Sequence, residues 1–170
     1  MGSSKPLDFD PIEEARRQWI DHGWVDAADG MALVTSIIRA QQIYLTKIDT
    51  ELREFDLTFA RYELLTLLSF TRSGSLPMNK AGVRLQVHPT SVTSTVDRLE
   101  KQGFVERRAH PSDRRTTLVA ILPEGRKVAK KASVSLNSRV FQLPGVSSQD
   151  AKVLLTLLRV LRGGAGDFVS

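Results

Sequence analysis

The chain has 170 residues, 41% hydrophobic and 25% charged, with a formal net charge of +5 and an isoelectric point of about 9.8. That balance suits a folded domain with its own core and some helical additions. No stretch approaches the ~20 apolar residues that span a membrane, residues 1–6 carry no apolar secretory segment, and the lack of cysteine excludes a disulfide scaffold, thiolate zinc sites and a thiol redox switch.

Residues 1–9 are expected to be disordered. Asp10-Pro11-Ile12-Glu13 then combines an N-cap acid, proline at the first helical position and a glutamate three residues after the cap. Ile12, Ala15 and Trp19 share a face of this first helix, Gly23 ends or bends it, and Ala27–Gly30 reads as a joint. A long helix is expected over about Met31–Phe55, with Val34, Ile37, Gln41, Leu45, Ile48, Leu52 and Phe55 spaced by threes and fours. Thr58 is the expected N-cap of a third helix that turns Tyr62, Leu65 and Leu68 inward, and Thr71–Pro77 reads as a loop. A short helix over about Asn79–Gln86 precedes another from Pro89 to Gln102, which Gly103 terminates. Phe104–Arg108 and Thr116–Leu122 read as strands of a hairpin with Ala109–Arg115 at its tip. Pro123 opens a helix to about Phe141, and Pro144-Gly145 breaks it. Ser147–Asp150 resembles a capping box for a last helix with an apolar stripe, and 163–170 is expected as a flexible tail.

The charge is unevenly placed. Residues 78–131 hold 12 Lys/Arg against 5 Asp/Glu, whereas the remainder holds 12 against 14. A local basic footprint on a near-neutral body suits a polyanion-binding module, and it also suits a solvated basic surface.

The Pro89–Gln102 helix separates these alternatives better. On a helical wheel Val92, Val96 and Leu99 form a narrow inward stripe, while Thr90, Ser94, Arg98 and Lys101 face outward with Ser91 at the edge. Short hydroxyl side chains let a helix backbone come close to DNA, bond phosphates or base edges, and touch thymine methyls. The preceding short helix and tight Val87-His88-Pro89 connection match a helix-turn-helix. An ordinary amphipathic helix with a polar back remains the alternative. The hairpin favours DNA. Its tip, His110-Pro111-Ser112-Asp113-Arg114-Arg115, lies between strands carrying Arg107 and Arg108. Arginines clustered there repel one another unless they meet an anion such as the minor groove. Asp113 is expected to position Arg115, holding its guanidinium in one orientation, rather than to contact DNA.

The run Val87–Thr93, then Val96-Asp97-Arg98-Leu99-Glu100-Lys101-Gln102-Gly103-Phe104-Val105-Glu106-Arg107, Asp113-Arg114-Arg115 and Leu122-Pro123-Glu124-Gly125-Arg126, resembles the MarR family of transcriptional regulators over about residues 31–162. The resemblance implies a mainly α fold: a winged helix-turn-helix with a small β-hairpin wing at 58–122, N-terminal helices at 10–57 and C-terminal dimerisation helices at 123–162. It implies a cytoplasmic homodimer on pseudo-palindromic double-stranded DNA, with a DNA-binding surface of Thr90, Ser91, Ser94, Arg98, Lys101, Arg107, Arg108, His110, Arg114 and Arg115, and Asp113 as the residue that positions its tip. Trp19, Ile20, Phe141, Leu154, Leu157, Leu158 and Leu161 are its dimerisation candidates, and packing within one subunit is their alternative. The family commonly releases DNA on binding a small aromatic or lipophilic effector, an acyl thioester among them. Trp24, Arg39, Tyr44, Phe59, Arg61 and Tyr62 are the candidates here; the alternative is core for the aromatics, which at helical spacing are core more often than pocket, and a cap or ion pair for the two arginines.

No cofactor, metal or membrane association is expected. His22, His88 and His110 fall in three different elements without metal-ligand spacing, and no phosphate-cradling or nucleophile-elbow motif occurs, so an enzyme is not expected. Two other functions compete with a specific repressor: a nonspecific architectural DNA binder, and a winged helix used only for protein interaction.

Overall fold

The computed structural model describes residues 6–113 and 115–169; the expected disorder of residues 1–5 and the role of Arg114 fall outside them. The chain divides into two compact units, 1–47 and 48–170.

In the first unit, α1 spans Pro11–Asp21, and the Asp10 carboxylate accepts the Ile12 N–H at 2.9 Å, as an N-cap should. Gly23, with φ +83°, makes the bend after it. The next helix, α2, spans Val25–Leu52, so the expected joint at Ala27–Gly30 is helical instead. One glycine in an otherwise good helical segment costs only about 1 kcal/mol, and the left-handed residue Gly23 already separates the two helices. Within this unit Trp19 meets Trp24 edge-on at 5.3 Å, and Arg16 Nε donates to Asp29 at 2.6 Å.

The second unit starts with the end of α2, where Ile48 and Leu52 are buried. A single 3₁₀ turn, Arg53–Phe55, leads through Asp56 in the left-handed conformation to α3, Phe59–Phe70, capped by Thr58. Then come β1 (Ser75–Pro77), α4 (Met78–Leu85), α5 (Pro89–Lys101), β2 (Val105–Ala109), β3 (Thr117–Ile121), α6 (Pro123–Leu136) and α7 (Ser148–Gly164). The π-helical turn Asn137–Phe141 extends α6, and Gln142 N–H bonds the Asn137 carbonyl at 2.9 Å. Among the described residues no helix is long and apolar enough to cross a membrane.

The strands form one antiparallel sheet in the order β1-β3-β2, with Leu76 opposite Val119 and Arg107 opposite Val119 on the other side. The expected Thr71–Pro77 loop thus contains a strand. Three residues ending in proline give no periodicity to read, and an edge strand tolerates the missing donor. The core gathers Leu64, Leu65 and Leu68 of α3, Val92, Val96 and Leu99 of α5, Val105, Val119 and Ile121 of the sheet, and Ala132 and Leu136 of α6. This is the expected mainly α winged helix-turn-helix.

The expected frayed tail is also different. Gly163 and Gly164 belong to α7, and Asp167 returns its N–H to Arg162 O at 3.1 Å. The Asp167 carboxylate accepts from Arg162 Nε at 2.6 Å and from Gln86 Nε2 at 2.5 Å, which pins the segment.

The join between wing and α6 is tight. Leu122 N–H bonds Phe104 O at 2.9 Å, and a Cβ on Gly125 would lie 2.2 Å from that same carbonyl oxygen. Gly125→Ala therefore forces backbone apart and is expected to cost about 1–3 kcal/mol; urea unfolding of the variant against wild type measures it.

Candidate nucleic-acid interface

The helix-turn-helix is built from small residues and two caps. Ala81 and Gly82 are buried where α4 crosses α5, and a Cβ on Gly82 would already sit 3.2 Å from Val92 Cγ2. Gln86 adopts the left-handed conformation that ends α4, and Val87 N–H closes on Gly82 O at 3.1 Å. His88 caps α5: its Nδ1 accepts the Thr90 N–H at 3.3 Å, and Pro89 fills the first position, where no N–H is needed.

This frame fixes the rotation of α5. Val92, Val96 and Leu99 are buried, so Thr90, Ser91, Ser94, Arg98 and Lys101 are turned out together, and all five are exposed. Their joint exposure is a consequence of the burial opposite. At the far end Gln102 anchors the helix. It donates to the Asp56 carbonyl and carboxylate, each at 2.9 Å, and accepts from Arg61 Nη1 at 3.0 Å.

The wing cations occupy different environments. Arg107 reaches from β2 to α5, where its guanidinium forks between Asp97 and Glu100, and its N–H bonds Glu100 Oε1 at 2.9 Å. Partial burial opposes its charge, but the hydrogen bonds to Asp97 and Glu100 outweigh it and hold the guanidinium more firmly protonated. Arg107, one of the expected DNA-binding residues, is paired with acids of its own chain, because the register of β2 aims it at α5. Arg108 is exposed and bonds Glu106 through Nε at 2.6 Å. His110 Nδ1 accepts the Ser112 N–H at 3.3 Å, so the ring shapes the tip.

Asp113 does position its neighbour, though not through the guanidinium. Its carboxylate accepts the Arg115 backbone N–H at 3.0 Å and the Thr116 hydroxyl at 2.6 Å. A two-residue step lets the short carboxylate close an Asx turn on the backbone, which leaves the Arg115 side chain exposed. These bonds, Thr116 first, hold the carboxyl below its usual range.

The effector candidates fall in both units. Tyr62 is buried and shares a hydroxyl hydrogen bond with Ser133 at 3.0 Å, while Phe59 stacks on it at 6.2 Å between ring centres. Arg61 is tied to Gln102. In the first unit Trp24 is exposed beside Trp19, Arg39 Nη1 donates to Gln42 at 3.3 Å, and Tyr44 lies under Lys47. Tyr62 and Arg61 thus serve the core and the anchoring of α5. Of the dimerisation candidates, Trp19 and Ile20 are half-buried in the first unit. Phe141, Leu154, Leu157 and Leu161 are exposed, Leu158 is half-buried, and α7 buries no residue. The sequence did not single out Asp97, Glu100 and Gln102. An arginine seven and ten residues beyond two acids is the only signal for the clamp, and it is visible only once β2 is known to fold back along α5.

The family model for MarR matches residues 57–117, from before α3 to the start of β3. The crystal structure of Sco5413, a MarR family transcriptional regulator from Streptomyces coelicolor, is 46% identical, covers 84% of this chain and 99% of its own, and superposes with a TM-score of 0.76. The chain belongs to the MarR family. A second Streptomyces coelicolor member, Sco3205, was crystallised in complex with DNA; at 24% identity it shares the fold, with a TM-score of 0.70 over 81% of this chain and 88% of its own. The HTH-type transcriptional regulator YhbI of Bacillus subtilis is 33% identical over 87 residues, 51% of this chain and about half (55%) of its own length. This MarR chain is accordingly a winged-helix protein of a family of transcriptional regulators.

The Asp113 turn makes a pH-dependent prediction. A carboxyl whose folded pKa is depressed supports the fold above its unfolded value and loses that support as pH falls through the folded value. The Arg115 amide signal should therefore keep its folded chemical shift below the usual carboxylate range. Asp113→Ala should weaken DNA binding roughly three- to tenfold although it removes a negative charge; unchanged or tighter binding in a mobility-shift titration contradicts the positioning role.

Proposed function

We propose that this protein is a sequence-specific, DNA-binding transcriptional regulator, a cytoplasmic repressor that acts as a homodimer and is released by a small aromatic or lipophilic ligand. The observation that carries it is the outer face of α5. Thr90, Ser91, Ser94, Arg98 and Lys101 are exposed as one surface on a helix locked by its buried stripe and by the Arg107 clamp. Such a helix fits the major groove, about 12 Å wide. Arg108, His110, Arg114 and Arg115 then reach the backbone or the minor groove, where they add affinity and sense shape. Support comes from Sco3205, which carries DNA on the same fold.

The domain reading assigns DNA contact to residues 58–122, dimerisation and the ligand pocket to 10–57, and dimerisation to 123–162. Support for the dimer comes from α7. Leucines at 154, 157 and 161 stay exposed, Leu157 at 61%, and a helix with such a stripe gains by covering it with a second copy. A two-fold dimer would offer two α5 helices to half-sites about 34–36 Å apart on a pseudo-palindrome.

Operator affinity should fall steeply as salt rises, since each phosphate contact releases counterions. Arg98→Ala should cost about 1–3 kcal/mol of operator affinity and reduce discrimination against random DNA. Mobility shifts of operator and random duplexes across a salt series measure both. Equal competition by random DNA would leave an architectural binder, and a flat salt response would leave a protein-interaction module. Sedimentation equilibrium tests the dimer.

A further inference from the structure

A second basic surface lies away from the outer face of α5. Helix α6, its π-helical extension and the 3₁₀ turn line a wide, open groove of about 650 Å³, within the second unit. Phe55 and Val134 supply its apolar lining, and Lys127, Lys130, Lys131 and Arg139 surround it. Of these four cations only two meet a carboxylate, and both loosely. Lys127 reaches Glu124 and Arg139 reaches Glu51, each at 3.4 Å. Lys130 and Lys131 are exposed and pair with no acid among the described residues. Like charges three and four residues apart on a helix repel, so an anion in the groove would relieve that repulsion. A volume between about 300 and 1,000 Å³ is that of a small-molecule site. The groove also includes Arg139 and Ser138 of the π-helical turn, a local widening that recurs at functional sites.

The geometry points to a binding site on α6 for a small amphipathic polyanion, an aromatic or acyl body on Phe55 and Val134 with a phosphate among Lys130, Lys131 and Arg139. DNA is disfavoured there, because the lining is partly apolar and Glu54 adds a negative charge to the rim. The site deepens the effector reading above and rests on it for any consequence at the operator; ligand binding itself is independent of DNA.

Titration calorimetry on the full chain with 1-naphthyl phosphate, 1-naphthoate and inorganic phosphate tests it. The naphthyl phosphate should bind more tightly than either fragment. The exposed double substitution Lys130→Gln/Lys131→Gln should weaken it by about tenfold or more, with an unchanged far-UV circular dichroism spectrum. Val134→Ser should weaken the naphthyl phosphate and leave inorganic phosphate unaffected. No binding, equal binding by wild type and the double variant, or naphthyl phosphate no tighter than inorganic phosphate would overturn the site. So would loss of operator affinity in the ligand-free double variant, which would make the groove a DNA surface. Binding of naphthyl phosphate without any effect on operator affinity supports the site and removes only the effector reading.

Discussion

The guanidinium of Arg107, forked between Asp97 and Glu100, joins the wing to the helix beside it. Two carboxylates on the helix and one arginine on the strand define both the distance and the rotation of the two elements, because a planar fork bonds well in few orientations. Exposed ion pairs contribute little to stability as a rule. This one is partly shielded and shares two partners, so its value lies in holding two cationic surfaces in register. Gln102, at the same C-terminal end of α5, ties the helix to the Asp56 turn and to Arg61 of α3.

Rigid support behind and an unoccupied surface in front follow from one pattern. The stripe of Val92, Val96 and Leu99 is narrow, only one residue wide per turn. Most positions outside it are therefore exposed: Asp97 and Glu100 serve the Arg107 clamp, and the outer face is filled with hydroxyls and cations. The wing follows similar logic: Asp113 and His110 hold the backbone of the tip, so that the Arg115 side chain need not be used to fold it.

The excess charge of residues 78–131 divides in space. One part belongs to α5 and the wing, where Arg107 is already neutralised. The other belongs to α6, where Lys127, Lys130 and Lys131 surround a groove with Phe55. A run of basic residues that is continuous in sequence thus serves two surfaces, since α6 leaves the sheet at Gly125 and carries its lysines to the 3₁₀ turn between α2 and α3.

The local patterns were legible without coordinates. The Asp10 and Ser147 caps, the α5 stripe, the hairpin and the leucine face of α7 all follow from interactions within a few residues, and periodicity records those directly. Contacts that depend on distant segments were not legible. Strand β1 exists because Leu76 meets Val119, which its own three residues cannot announce. The pairing of Arg107 with Asp97 and Glu100 depends on β2 folding along α5, and the C-terminal segment is held where Asp167 meets Gln86. The groove on α6 needs Phe55 from more than seventy residues earlier. Sequence alone determined which residues face inward and which carry charge; only the tertiary structure decided which charges neutralise one another and which remain available to a partner, because a salt bridge forms between neighbours in space.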